Sequence, residues 1–446
     1  MNIRASDSPL ARPLRRVVMV GSEVLLVLVI GVLAIAGFIR VLPTLVQIPE
    51  QVDFAAYYLA AQLLNLDSPL YDRVELDEAA IRSGDINHTS YIYLPFLAVL
   101  LRPIAILPYD LARTLWFVLN LGFLLASVVL LTRLIGLHCF VAIPAILTSM
   151  LMPAVYYSLL FGQVNFLLLL LLTGALYLSS PLPARRSRDI AAGIFLSIAI
   201  VIKLYPAIVG FAYLLHRRLL SVISVLLGAL TMLVFGIVGG NGWENTMRFF
   251  SESLSQFVGR GDDPANQSIH AVLDRLFSLH QYHFSVLSLD NYVTITYRPV
   301  MNAPLLGNLL ACMGAGFIVI STLTVLAIRV RHQPGVPTLL ADFGLLITAA
   351  LLITPIVWDS YYVLLLIPIF GLLHYYRQSQ LRSIRIALLL VSLFLILQRY
   401  WRWLSQFVAS PWLLAFGFLG TLMLWFTLLS QVIMSSRERR GDENRY

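Results

Sequence analysis

From about residue 17 to residue 433 the chain alternates long apolar stretches with short polar joints that are rich in arginine. A helix needs about 20 apolar residues to cross the hydrocarbon core. The pattern predicts spans at about 17–41, 111–132, 139–157, 163–180 and 219–238, with two short ones packed into 189–215. Five more come after them at about 304–328, 338–355, 357–374, 384–400 and 411–433. The expected fold is an all-α polytopic membrane protein of about twelve transmembrane helices. The whole of 1–446 forms one integral membrane unit.

Basic residues stay on the cytoplasmic side of membrane proteins, which orients the spans. The markers are the N-terminal arginines, Arg133, Arg185–Arg188, Arg217–Arg218, Arg329–Arg331, Arg377–Arg385 and Arg437–Arg440. Both termini are then cytoplasmic. Two long segments fall outside: 42–110, a first extracytoplasmic loop plus a re-entrant segment, and 239–303, a second extracytoplasmic loop. The first loop is acidic, with Glu50, Asp53, Asp67, Asp72, Glu75, Asp77, Glu78 and Asp85 against Arg73 and Arg82. If Ile92–Pro108 crossed the membrane, the Arg185–Arg188 cluster would be placed outside. This segment, broken by Pro95, Pro103 and Pro108, therefore reads as re-entrant or interfacial, a form that persists only against protein or water.

Composition agrees. Of 446 residues, 59% are hydrophobic and 12% charged, against about 25% charged in soluble domains. The net charge of +8 sits in the short joints rather than on a nucleic-acid-binding face. Cys139 and Cys312 lie in apolar stretches and make no disulfide framework. No Gly-rich phosphate loop, zinc-ligand spacing or nucleophile elbow occurs, so no cofactor and no metal are expected.

Candidate chemistry gathers at the predicted outer face. Asp53 comes after the first span among aromatic neighbours that include Tyr57, where a half-buried carboxylate can act as a general base. Lys203 is the only lysine among 31 basic residues. It lies inside an apolar stretch, where an unpaired cation costs at least ~2.5 kcal/mol, so an anion such as phosphate is its natural partner. The pair of spans within 189–215 is too short for two full helices, which predicts a funnel at Lys203-Leu204-Tyr205-Pro206. Gln163 and Asn165, and Asn266 and Gln267 with Arg275 beyond them, offer amides suited to sugar hydroxyls or a basic group for phosphate. Trp358, Asp359 and Tyr361 could stack on a sugar and orient it, and Tyr93 precedes the broken segment. Arg399, Trp401, Arg402 and Trp403 form a basic, aromatic cluster on the side where arginine is uncommon.

Several short motifs recur in order: Asp53-Phe54 with Tyr57, Pro69-Leu70-Tyr71, Tyr93-x-Pro95, Gly162-Gln163-Val164-Asn165, Lys203-x-Tyr205-Pro206, Asn266-Gln267-Ser268 and Pro355-x-x-Trp358. Together they resemble glycosyltransferase family 87, of the GT-C class, which includes polyprenyl-phosphate-mannose-dependent α-mannosyltransferases. The resemblance implies a GT-C-like bundle with an outward cavity, in the inner (plasma) membrane. It implies an inverting transfer of a hexose from a polyprenyl-phosphate donor to a lipid-linked or glycan acceptor, without nucleic acid. Asp53 would be the base, and Lys203, Arg275 and Arg402 would bind the donor phosphate. Mannose is the leading expectation, although mannosyl members carry a histidine shortly after the tryptophan and here Asp359-Ser360-Tyr361-Tyr362 comes after Trp358. The other reading is a polytopic transporter or a flippase for lipids or glycans. That class places substrates near the midplane between internal repeats, and the chain shows no clear repeat.

Overall fold

The structure, a computed structural model, describes residues 31–180, 185–254, 263–285, 292–330, 336–377, 383–397, 401, 404–405, 407–408 and 410–443. Among these, helix dominates. The elements are α1 (Gly31–Val46), α2 (Val52–Asn65), α3 (Arg73–Arg82), α4 (Pro95–Leu101), α5 (Tyr109–Leu134), α6 (Ala142–Ser149), α7 (Pro153–Phe161), α8 (Asn165–Ser179) and α9 (Arg186–Ile202). They continue with α10 (Gly210–Leu215), α11 (Leu219–Gly239), α12 (Trp243–Arg248), α13 (Ile269–Phe277), α14 (Pro304–Val330), α15 (Val336–Ile353), α16 (Leu366–Arg377), α17 (Ser383–Ile396) and α18 (Phe416–Glu443).

Four stretches are long and apolar enough to cross a membrane: Tyr109–Leu134, Leu219–Gly239, Pro304–Val330 and Leu413–Met434. The pair α6 and α7, bent by 80°, is apolar enough to form a broken fifth span or a re-entrant loop. The chain is thus a membrane protein by its helices. Twelve full-length crossings are more than these helices supply by length alone. Several expected spans are instead shorter apolar helices, among them Gly31–Val46, Asn165–Ser179, Leu339–Ile353 and Ile384–Ile396. Residues 17–30 of the first expected span lie outside the described residues. The span expected at 139–157 is corrected to two helices, because Pro153 starts a new one and cannot continue α6. Long α11 and α14 leave large apolar side chains such as Leu226, Leu230, Leu309 and Ile320 exposed, as helices facing lipid do.

The second expected loop carries the only strands among the described residues. Strands β1 (His280–Ser285) and β2 (Tyr292–Tyr297) pair antiparallel, from His280 opposite Tyr297 to Ser285 opposite Tyr292. The alternation in Tyr292-Val-Thr-Ile-Thr-Tyr is the period-two signal of a strand. It corrects the all-α expectation at this point.

The segment Ile92–Pro108 holds only the seven residues of α4 and a short 3₁₀ turn at Ile104–Ile106. At about 1.5 Å per residue, α4 is far too short to cross a bilayer. Protein surrounds it: Phe96, Leu97 and Ala98 are buried. Gly236 and Gly239 of α11 and Gly240 just after it admit it, since a Cβ at each would meet Phe96, Val99 or Pro95 at 2.7–3.0 Å. This close approach places Ile92, Tyr93 and Leu94 beside the break after α9, where they line a cavity with Lys203 and Leu204.

Candidate functional site

Asp53 stands in the first turn of α2, and the residues before it are held firmly. Gln51 takes a left-handed conformation (φ 57°) and donates from its amide to the Arg113 carbonyl at 3.2 Å. The Tyr109 hydroxyl donates to the Glu50 carbonyl at 2.6 Å, and Phe54 stacks on Trp116 with ring centroids 5.3 Å apart. Trp116 in turn donates to the Gly162 carbonyl at 2.8 Å. Gly162 ends α7 at φ 69°, a conformation that costs glycine little. A Cβ there would lie 2.7 Å from both Gln51 Oε1 and Phe54 Cβ. The turn between α7 and α8 thereby presses Gln163 against Asp53.

The Asp53 carboxylate accepts from Thr89 Oγ1 at 2.8 Å and from the Gln163 amide. Burial raises its pKa above the ordinary 3.8, and this outweighs the lowering by Thr89, Gln163 and the Lys203 charge. Such a carboxylate is a stronger base than a solvated one.

Lys203 terminates α9. Its backbone is extended (φ −141°, ψ 133°), and Pro206 opens the adjoining 3₁₀ turn at Tyr205–Val209. The buried side chain donates from Nζ to Asn165 Oδ1 at 2.9 Å. Nζ also lies 3.5 Å from the Tyr361 ring centroid and 5.6 Å from that of Tyr93. Ring faces stabilise a cation without neutralising it. Asn165 Nδ2 reaches Gln163 Oε1 at 3.5 Å, a long contact that completes an amide bridge from the carboxylate to the ammonium.

Two cavities flank this bridge. One, of about 330 Å³, is lined by Lys203, Tyr93, Tyr205 and Tyr361 among apolar side chains such as Ile92, Val201, Phe249 and Ile356. It lies at the turn where the chain length within 189–215 predicts a funnel. The other, of about 290 Å³, is lined by Asp53, Thr89, Gln163, Trp358 and Asp359 with Tyr157, Phe161 and Asp263. Tyr361 and Ser360 are adjacent in sequence and border one cavity each. Asp53 and Lys203 thus face neighbouring cavities rather than a single one.

Tyr205 stacks on Tyr361 at 5.7 Å, while Tyr57 stands behind Tyr93, their hydroxyls 3.0 Å apart. Asn266 and Gln267 sit elsewhere: in the wall, and fully buried. Asn266 donates to the Pro355 carbonyl at 2.9 Å and accepts from the Val357 N–H at 3.0 Å. Gln267 donates to the Leu414 carbonyl at 2.8 Å and accepts from the Phe418 N–H at 3.0 Å. These hydrogen bonds brace the wall of the site. Arg275 likewise donates to the carbonyls of Asp263 and Asn266, at 3.0 and 2.7 Å. Arg399, Arg402 and Trp403 lie outside the described residues.

Sequence reasoning missed Thr89, Tyr157, Phe161 and Asp263. Asp263 accepts from the Trp358 indole at 2.9 Å, across 95 residues. Only Tyr157 and Phe161 had a local signal, as aromatics four apart on α7 just before Gly162.

The family model for glycosyltransferase family 87 matches residues 91–355, more than half of the chain. The chain belongs to glycosyltransferase family 87. No curated protein and no solved structure matches it. The matched segment carries Tyr93, Gln163, Asn165, Lys203 and Tyr205. Asp53 precedes it and Trp358, Asp359 and Tyr361 lie beyond it; Asp53 joins the family 87 segment through Gln163, Trp358 through Asp263 and Tyr361 through Lys203. As a family 87 member, the protein is a glycosyltransferase with a sugar donor and an acceptor.

Proposed function

We propose that this glycosyltransferase moves a hexose, with mannose the first choice, from a polyprenyl-phosphate donor to an acceptor hydroxyl, with inversion at the anomeric carbon. The supporting observation is the pairing of Asp53 and Lys203 through Gln163 and Asn165, with a cavity on either side. Inversion needs attack and departure on opposite faces of one carbon. The donor phosphate would occupy the Lys203 cavity, where the apolar walls suit an isoprenoid chain. The acceptor would enter the Asp53 cavity, and the hexose would lie between them beside Gln163 and Tyr361.

Asp53 takes the proton of the acceptor hydroxyl as that oxygen attacks the anomeric carbon. The bond from this carbon to the phosphate oxygen breaks, and its electron pair leaves with the polyprenyl phosphate. Lys203 stabilises that charge in a site with few competing waters, where a cation acts most strongly. The phosphate ester is itself the activated leaving group. We assign the reaction to the extracytoplasmic face of the inner (plasma) membrane, with both termini cytoplasmic and the shorter apolar helices completing the crossings. The reading rests on the positions of the basic clusters.

The test is transfer of labelled sugar by the purified protein from a panel of polyprenyl-phosphate hexoses, beside the nucleotide sugars. Transfer from a lipid-phosphate donor alone, lost in a folded Asp53→Asn variant, is expected. Transfer from a nucleotide sugar, or full activity in that variant, overturns the reading.

A further inference from the structure

A third cavity, of about 160 Å³, lies beside the Asp53 cavity and has no part in the mechanism above. Thr89 borders both. Its hydroxyl donates to Asp53 and its backbone N–H donates to the Val52 carbonyl at 3.1 Å, so the strap that bears it is fixed. His88 strengthens the strap. Its Nε2 lies 3.2 Å from Asp77 Oδ1 and its Nδ1 lies 3.0 Å from the Thr89 carbonyl. Beyond the strap, the cavity is lined by Arg73, Asp77 and Ser90 over the rings of Tyr71 and Tyr91.

This lining differs in kind from that of the Lys203 cavity. A lipid chain placed here would cover the Arg73 guanidinium and the Asp77 and Glu252 carboxylates and take them from water, at a cost of kilocalories per mole. An anion would meet Asp77 and Glu252 as readily as Arg73. Neutral groups that both donate and accept fit best, and sugar hydroxyls do both.

We infer that this cavity is a second acceptor subsite, holding the next sugar of a glycan whose terminal sugar reacts before Asp53. The inference rests on the proposed transfer and commits the acceptor to a glycan of at least two sugars. Arg73 and Asp77 are the specificity-determining residues. Thr89 is the divider, so a linear glycan would pass over it from one cavity to the next.

The experiment uses the full-length protein and octyl mannosides of one, two and three residues as acceptors. The second sugar is expected to raise kcat/KM about tenfold, equivalent to ~1.4 kcal/mol, and the third to add little. The variant Arg73→Ala should flatten that rise and leave transfer to the one-residue mannoside within about twofold, the scale of ordinary surface changes. Saturation-transfer NMR with the Asp53→Asn protein, which does not turn over, should show contact to the second ring, lost when Arg73 is also changed to Ala. Equal kcat/KM for one and two residues, a rise that survives in Arg73→Ala, or no contact to the second ring overturns the inference. Transfer to the one-residue acceptor reports on the proposed function separately.

Discussion

Lys203 presents its ammonium to the face of Tyr361, 3.5 Å from the ring centroid, and has no carboxylate in direct contact among the described residues. A carboxylate would neutralise the charge and compete with an incoming anion. An aromatic face and the Asn165 carbonyl oxygen hold the amine in place without supplying a counter-charge. The arrangement suits a transient anion better than a permanent partner.

Lys203→Met should therefore raise the KM for donor by roughly 10- to 100-fold, the scale of losing a hydrogen bond to a charged group, with acceptor KM little changed. Lys203→Arg should restore only part, because a planar guanidinium does not fit a site shaped for a compact ammonium. Initial rates at varied donor concentration decide it, and an unchanged donor KM removes Lys203 from the phosphate site.

Tyr361→Leu removes the ring face, worth up to ~2 kcal/mol for a desolvated cation, and should weaken donor binding accordingly. Tyr361→Phe keeps the ring and should behave nearly as the parent. Equal effects of the two variants would show that the ring face is not what matters.

The pH dependence is set by Asp53. A base works deprotonated, so kcat/KM should rise as pH increases through its pKa, with the limb above the ordinary 3.8. Thr89→Ala and Gln163→Leu each remove a hydrogen bond to the ionised carboxylate, and each should move the limb to higher pH. A limb that stays in place in both variants assigns the titration to another group.

Gly162→Ala places a Cβ at 2.7 Å from Gln51 and Phe54, at a φ of 69°. A strained backbone of this kind costs on the order of 1–3 kcal/mol. The start of α2 should shift, taking Asp53 with it. We expect a lower melting temperature together with a fall in kcat; a variant stable but unchanged in kcat would uncouple the Gly162 turn from the base.

Far from the cavities, Asp342 is 1% exposed and accepts from Arg329 at 2.7 Å while His216 lies 2.7 Å from its other oxygen. Asp342→Asn leaves Arg329 buried without a counter-charge, which costs about 3–5 kcal/mol. Thermal unfolding in detergent should show a large loss of stability, whereas the protein that remains folded should keep its KM for donor.

What the sequence determined by itself is what local chemistry determines. Runs of apolar residues dictate helices and a membrane environment, and arginine placement gives each an expected side. A single lysine in an apolar stretch marks a site because its burial is costly wherever the chain folds. The crowding within 189–215 pointed to the break at Lys203 for the same reason, since too few residues remain for two full helices.

Tertiary structure alone decided how those parts meet. Asp53 and Gln163 are 110 residues apart, and Asn165 and Lys203 are 38 apart, so no periodicity links them. Asn266 and Gln267 look alike in sequence, yet the Pro355 carbonyl accepts from one and the Leu414 carbonyl from the other. A polar side chain's role depends on which partner folding brings within 3 Å, and that partner is set by packing of the whole bundle, not by its neighbours along the chain.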